Sequence, residues 1–228
     1  MITIAVPDGT FNAYVARPAS TPAPAVIVIQ EIYGVNAVVR EFADRLAAAG
    51  FLAVAPDLFW RIEPGIDLTD QTDEGNKRAF ELFGEFDVDA GVKDVAAAID
   101  QVRGLPECTG KVGAVGYCLG GKVAFLVATS TDSDASVSYY GVGLEGLVGE
   151  AEKLANPLLL HIAEEDRFVP PTAQATILAA LKNHPQVELF TYPGRDHAFA
   201  RPGGDNYHDG DAALADQRSL RFLNANLK

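Results

Sequence analysis

The segment Gly-Tyr-Cys-Leu-Gly-Gly at residues 116–121 places a thiol between glycines, directly after the apolar run Lys111–Val115. The apolar run predicts a strand, and the residues after the segment predict a helix. A strand-to-helix turn this sharp needs glycines, and it lifts Cys118 clear of the strand. It also directs the backbone N–H of Leu119 toward the same point. The segment therefore predicts a cysteine nucleophile with one oxyanion donor.

A cysteine nucleophile needs a general base, and the base needs an acid that orients it. Asp166 follows the predicted strand Pro157–Ala163, and His197 follows the predicted strand Val187–Tyr192. The chain order of nucleophile, then acid, then histidine is the order found around nucleophile elbows. We therefore predict a triad of Cys118, Asp166 and His197.

Several other polar side chains compete for these roles or have simpler explanations. Glu164 and Glu165 compete with Asp166 for the orienting role. His161 lies inside an apolar strand, which favours a hydrogen-bonded core residue, and Cys108 is most simply a small packed hydrophobe. The histidines have no metal-ligand spacing, so we predict no metal.

The second oxyanion donor is expected in the loop that follows the predicted strand Ala25–Ile29. The backbone N–H of Ile32 is the natural candidate there. Glu31 is unusual in this position, because a carboxylate beside a nucleophilic thiol hinders its ionisation. It is either a solvent-facing loop residue or a residue with a function at the thiol.

Strands and helices alternate along the chain, which predicts an α/β class with a mostly parallel, twisted sheet flanked by helices on both faces. We expect one domain over residues 1–228, with an irregular cover over the sheet at Phe59–Thr72. The predicted strands are Ile2–Val6, Phe11–Ala16, Ala25–Ile29, Leu52–Ala55, Lys111–Val115, Ala135–Tyr140, Pro157–Ala163 and Val187–Tyr192. The predicted helices are Val38–Ala49, Asp73–Phe83, Asp89–Val102, Leu119–Thr129, Ala173–Lys182 and Ala212–Asn226.

The formal net charge of −13 argues against nucleic acids and anionic membranes as partners. An anionic substrate would need local arginines. The start of the chain does not resemble a signal peptide, and no apolar run approaches the length of a membrane helix. Because a catalytic thiol must stay reduced, we expect a cytoplasmic protein, and a monomer is the simplest expectation.

Taken together, these motifs resemble the dienelactone hydrolase (carboxymethylenebutenolidase) family of α/β-hydrolases, nearly from end to end. The segments that carry the resemblance are Gln30–Asn36, Pro56–Leu58, Phe86–Asp87, Ala90–Val92, Gly116–Gly121, Tyr139–Glu145, Asp166–Pro170 and His197–Arg201. The resemblance implies an α/β-hydrolase fold without a cofactor. It also implies hydrolysis of an anionic lactone, 4-carboxymethylenebut-2-en-4-olide, to maleylacetate through a thioester, in chlorocatechol degradation.

The resemblance also implies roles for individual residues. Cys118, His197 and Asp166 would be nucleophile, base and orienting acid. Glu31 would pair with the resting thiol and shift when substrate arrives, which would gate ionisation of the thiol. Arg201 would bind the substrate carboxylate.

The chain departs from the family on the helix expected over the site. The family uses a second arginine and a tyrosine there, and this sequence has Asn76 and Phe80 in their places. Arg78 or Lys77 could reach the substrate instead. Phe80 and the motif residue Tyr139 are further candidates for substrate binding.

Three other functions stay open from the sequence. The fold could serve another activated lactone, ester or thioester, a binding or sensory protein could retain the thiol, or the thiol could be a redox relay. A phosphate-binding loop is disfavoured, because Val123 follows the Gly-Lys pair where Ser or Thr is required.

Overall fold

A single eight-stranded sheet organises the protein, in a computed structural model that describes residues 1–228. The strand order is β1-β2-β4-β3-β5-β6-β7-β8. The strands are β1 (Ile2–Val6), β2 (Gly9–Ala16), β3 (Ala23–Ile29), β4 (Leu52–Pro56), β5 (Cys108–Tyr117), β6 (Ser136–Tyr139), β7 (Leu158–Ala163) and β8 (Val187–Tyr192). β1 and β2 form an antiparallel hairpin on one edge, and the strands from β4 to β8 are parallel.

Helices cover both faces of the sheet. They are α1 (Ala37–Ala48), α2 (Asp73–Glu85), α3 (Val88–Arg103), α4 (Leu119–Ser130), α5 (Pro171–Leu181) and α6 (Asp209–Leu227). Apolar residues of α1 and α6, such as Phe42 and Phe222, belong to one core cluster, while those of α3 and α4, such as Ile99 and Val123, belong to another. The predicted fold class is confirmed. None of the helices is both long and apolar enough to cross a membrane.

The central strands read as continuous apolar runs because both of their faces are buried. Every residue of β3 is buried, and Val26 and Ile27 pair with Gly113 and Ala114 of β5 in parallel register. Parallel strands bring their carboxyl ends to one edge of the sheet, where α/β proteins carry their sites. The segments that follow β3, β5, β7 and β8 meet at this edge.

The predicted elements are confirmed, with shifts at their ends. β5 begins three residues before the predicted start, at Cys108, because Cys108 already pairs with Ala23 of β3. α6 likewise begins at Asp209, where the side chain of His208 accepts a hydrogen bond from the N–H of Asp211 and caps the helix. The irregular cover leads into α2, which begins at the predicted Asp73.

His161 is part of a buried polar chain that joins the sheet to α6. Its Nδ1 lies 2.7 Å from Tyr192 Oη, and its Nε2 lies 2.9 Å from Ser219 Oγ. The Tyr139 hydroxyl lies 2.7 Å from the same Ser219 oxygen. The prediction of a hydrogen-bonded core histidine is confirmed. Burial lowers the pKa of His161 from 6.5 to about 3, so the residue is neutral in the folded protein at neutral pH.

We predict that His161 makes the fold sensitive to acid. Between about pH 6.5 and 3 the unfolded chain binds a proton here that the folded chain does not bind. The free energy of unfolding therefore falls as the pH falls, by up to about 1.4 kcal/mol per pH unit from this residue. In His161→Gln this dependence should be lost, so its stability deficit relative to wild type should shrink from pH 6.5 toward pH 4, as measured by urea unfolding.

The matched control is His184→Gln, a half-buried histidine between α5 and β8. It should keep the wild-type dependence on pH. A deficit of His161→Gln that stays constant over this pH range would contradict the assignment.

Candidate active site

Cys118 occupies a strained positive-φ backbone conformation at the junction of β5 and α4, with φ 56° and ψ −114°. Two glycines make this turn possible because the backbone approaches closely on both sides. A Cβ on Gly116 would lie 1.9 Å from the carbonyl oxygen of Gly120, and a Cβ on Gly120 would lie 2.4 Å from the carbonyl oxygen of Ile29. The predicted elbow is confirmed in its geometry, and Cys118 lines a cavity at the carboxyl edge of the sheet.

His197 and Asp166 form a buried pair on this cavity. His197 Nδ1 lies 2.8 Å from Asp166 Oδ2, and the other carboxylate oxygen accepts the N–H of Phe168 at 2.8 Å. An ionised carboxylate only accepts, so Nδ1 carries the proton and Nε2 is left with a lone pair. Glu164 and Glu165 are exposed, which leaves Asp166 as the carboxylate that contacts the histidine.

The environment of His197 favours its protonated form once the thiol ionises. Burial acts to lower the pKa of His197, but the charge of a Cys118 thiolate and the hydrogen bond to Asp166 outweigh burial and raise it to about 10. Nε2 is buried and has no hydrogen-bond partner. A proton that leaves the thiol therefore has an acceptor whose basicity the site itself raises.

Hydrogen bonds and a ring contact hold the loop that carries His197 in place. The carboxylate of Asp196 accepts the backbone N–H groups of His197 and Arg167, and the Asn206 side chain donates to the His197 carbonyl at 2.8 Å. The Phe168 ring meets the imidazole edge-on at a centroid distance of 4.8 Å. These contacts hold the imidazole in one orientation, as a general base requires.

The two predicted oxyanion donors lie at the expected places in the fold. Leu119 is the first residue of α4, so its N–H has no acceptor within the helix. Ile32 follows β3 and lines the same cavity as Cys118. The positive end of the α4 macrodipole adds to the attraction for a developing negative charge at this point.

The structure corrects the predicted resting partner of Glu31. Its Oε2 accepts a hydrogen bond from Arg201 Nη1 at 3.3 Å, and its Oε1 is buried without a partner, so the carboxylate is not hydrogen-bonded to the Cys118 thiol. Arg201 also contacts Asp70, with Nη2 2.9 Å from Oδ2. The reason is electrostatic: a buried guanidinium attracts a carboxylate more strongly than a neutral thiol does.

The structure also corrects three of the candidates for substrate binding. Arg78 points away from the cavity and pairs with Glu63 and Glu81. Lys77 does not line the cavity either. Tyr139 is buried in the core, where its hydroxyl contacts Ser219 and Asp216 rather than the site. On α2 only one face of the helix meets the cavity, and that face presents Asn76 and Phe80.

Several residues near the site were not predicted, and three of them contact the predicted groups directly. Asp70 comes from the irregular cover, and no sequence pattern pointed to it. Tyr140, one position after the predicted Tyr139, meets the His197 ring at 5.2 Å, because successive residues at the end of a strand face opposite sides. Phe168 could have been found, since it lies two residues after Asp166 in the same turn.

The cavity has a volume of about 430 Å³, which is within the range of small-molecule sites. Its polar end contains the thiol, the imidazole, Glu31, Asp70 and Arg201. Its apolar lining includes Phe80, Phe83 and Phe168. The arrangement can support nucleophilic attack by sulfur on a carbonyl group of an uncharged or anionic small molecule.

Comparison with known proteins agrees with this architecture. The sequence model of the dienelactone hydrolase family matches residues 11–227. The chain is 48% identical to a protein of Azospirillum brasilense provisionally named carboxymethylenebutenolidase, over the full length of both. It is 43% identical to carboxymethylenebutenolidase of Pseudomonas putida, over 97% of this chain and 94% of the relative.

A solved structure gives the same result. The crystal structure of a Klebsiella pneumoniae protein, provisionally named dienelactone hydrolase, superposes with a TM-score of 0.83. The two sequences are 29% identical, and the match covers 97% of this chain and 96% of that one. The chain therefore belongs to the dienelactone hydrolase family, whose α/β-hydrolase fold it shares, and it is a hydrolase.

Proposed function

We propose that the protein hydrolyses 4-carboxymethylenebut-2-en-4-olide to maleylacetate, with Cys118 as nucleophile. One observation carries the proposal: the thiol on the elbow shares a single cavity with the His197–Asp166 pair and with a buried arginine, Arg201. The thiol and the His197–Asp166 pair are suited to attack on a carbonyl carbon, and the arginine is suited to bind a substrate carboxylate. The relatives named carboxymethylenebutenolidase support the same reaction.

The chemical steps follow from the positions of these groups. His197 Nε2 accepts the proton of the thiol, and the sulfur attacks the lactone carbonyl carbon. The N–H groups of Ile32 and Leu119 hold the resulting oxyanion. When the carbonyl reforms, the ring C–O bond breaks and the enolate oxygen leaves, taking the proton from His197 and tautomerising to the ketone. Water, deprotonated by His197, then hydrolyses the thioester and releases the thiolate.

The leaving group explains why a thiol can serve here. A thiolate is itself a good leaving group, so the tetrahedral intermediate expels sulfur in preference to an alkoxide. An enolate is much less basic than an alkoxide and departs readily. We therefore infer that enol-lactones are good substrates and that ordinary alkyl esters and amides are poor ones.

The same chemistry leads us to propose where the enzyme acts and in what form. Because the thiol must stay reduced, we place the reaction in the cytoplasm, and we expect the chain to act as a monomer. Because the proposed product is maleylacetate, we place the reaction in the degradation of aromatic compounds such as chlorocatechols. The charged groups of the site suffice for the mechanism without a cofactor.

A second candidate is hydrolysis of another activated lactone, ester or thioester. The apolar wall of Phe80, Phe83 and Phe168 favours it, since these rings are 51%, 40% and 47% exposed and could contact a substrate larger than the bare lactone. The comparison of substrates below distinguishes the two candidates.

We predict that the triad variants lose turnover in a graded way. Cys118→Ala should lower kcat for the lactone by about 10⁴-fold or more, because the nucleophile is gone. Asp166→Asn should lower it by about 10²–10⁴-fold, because an amide can hydrogen-bond the wrong tautomer of His197. The rate at which lactone absorbance falls measures kcat for both variants. Glu165→Gln, an exposed neighbour of Asp166, should retain wild-type activity.

We predict a preference for the acid over its methyl ester. The carboxylate of the lactone can pair with Arg201, whereas the methyl ester cannot. The wild-type kcat/KM for the acid should exceed that for the methyl ester by about tenfold or more, and Arg201→Gln should remove the difference. A wild-type preference for the methyl ester would favour the broader esterase activity over the proposed one.

We predict that Glu31 restrains the thiol in the empty enzyme. Both residues line the cavity, and a carboxylate disfavours a second negative charge nearby. Glu31→Gln should therefore react with iodoacetamide several-fold faster than wild type at pH 7, as measured by mass spectrometry of Cys118. The control Glu165→Gln should label at the wild-type rate, and equal rates in all three proteins would contradict a gating role for Glu31.

A further inference from the structure

Asp70 occupies the part of Arg201 that an anionic substrate would need. The planar edge formed by Nε and Nη2 is the bidentate site of a guanidinium for carboxylates. Asp70 Oδ2 lies 2.9 Å from Nη2, while Nε is buried and has no hydrogen-bond partner. The protein's own carboxylate therefore takes one nitrogen of this edge, and the other nitrogen is buried without a partner.

Gly204 packs against this edge of Arg201. A Cβ on Gly204 would lie 2.9 Å from Arg201 Nε and 3.3 Å from Nη2. The gap between Gly204 and the two nitrogens is therefore too narrow for a further carbon atom, and the glycine encloses Nε. A carboxylate that displaced Asp70 would take over the contact with Nη2 that Asp70 now makes.

Asp70 is held in place by its neighbours. The side chain of Gln71 donates to its Oδ1 at 3.0 Å, and Asn76 donates to its backbone carbonyl at 2.9 Å. Asn76 in turn accepts the hydroxyl of Tyr33 at 2.8 Å. The contact with Arg201 is thus built into the structure around the cavity.

The charges around Arg201 make Asp70 and an incoming carboxylate compete for the guanidinium. Glu31 and Asp70 place two negative charges on one guanidinium, so an incoming carboxylate meets a cluster that is already net negative. The side chains of Arg201 and Asp70 are only 14% and 18% exposed, so solvent screens the pair less than a surface pair.

We propose that Asp70 is a specificity-determining residue that competes with the substrate carboxylate for Arg201. It lowers the affinity of the site for anionic lactones and narrows the preference for the acid over uncharged analogues. The proposal rests on the proposed function only for the identity of the substrate. The competition itself is a property of the empty site.

The test measures binding of a probe that cannot react. 2-Furanacetate carries a carboxymethyl group on a five-membered ring without a carbonyl in the ring, and its methyl ester is the uncharged reference. Isothermal titration calorimetry should show that Asp70→Asn binds the acid about tenfold more tightly than wild type and binds the methyl ester within about twofold of wild type. Asp67→Asn, the same charge change at an exposed residue that pairs with Arg40, should change neither affinity.

Asp70→Ser is a second variant that removes the charge, in case Asn keeps the contact with Arg201. Unchanged or weaker binding of the acid in both variants would overturn the proposal, and weaker binding would mean that Asp70 positions Arg201 instead. An equal change for acid and ester would also overturn it. If the binding result holds while the wild type leaves the lactone intact, the proposed function fails and the competition stands.

Discussion

The close backbone approach at the elbow is the constraint on which the site depends. β5 can turn into α4 with Cys118 at a positive φ only because Gly116 and Gly120 carry no side chains. The same contact brings α4 against the carbonyl of Ile29 at the end of β3, so the thiol and the Ile32 loop meet. One steric requirement thereby sets the positions of the thiol and of both proposed oxyanion donors.

Electrostatics then determines how the site works. His197 becomes basic because Asp166 and the thiolate outweigh the effect of burial. Arg201 lies between two carboxylates, and burial acts to lower its pKa while Glu31 and Asp70 raise it above its ordinary value. The site thus contains an imidazole prepared to take a proton and an arginine whose charge is already compensated.

The sequence predicted the features that rest on local patterns. Continuous apolar runs marked the buried parallel strands, and glycines around Cys118 marked the elbow. Asp166 and His197 were found because each directly follows a strand, and parallel strands end at one edge of the sheet. The starts of β5 and α6 were misplaced by three residues, because a pairing with Ala23 and a histidine cap extended elements whose periodic pattern is weaker there.

Which polar groups contact each other was decided only by the tertiary structure. Arg78 and Asn76 lie two residues apart on α2, yet only Asn76 reaches the cavity, because a helix turns by about 100° per residue. The ion pairs of Arg201 join residues that are 170 and 131 positions apart in the chain, so no local spacing could reveal them. The sequence by itself determined the elbow, the order of the proposed triad and the layers of the fold, since these depend on short-range sterics and periodicity. The tertiary structure decided the charge pairing around the arginine, since that depends on which distant carboxylates share one buried volume.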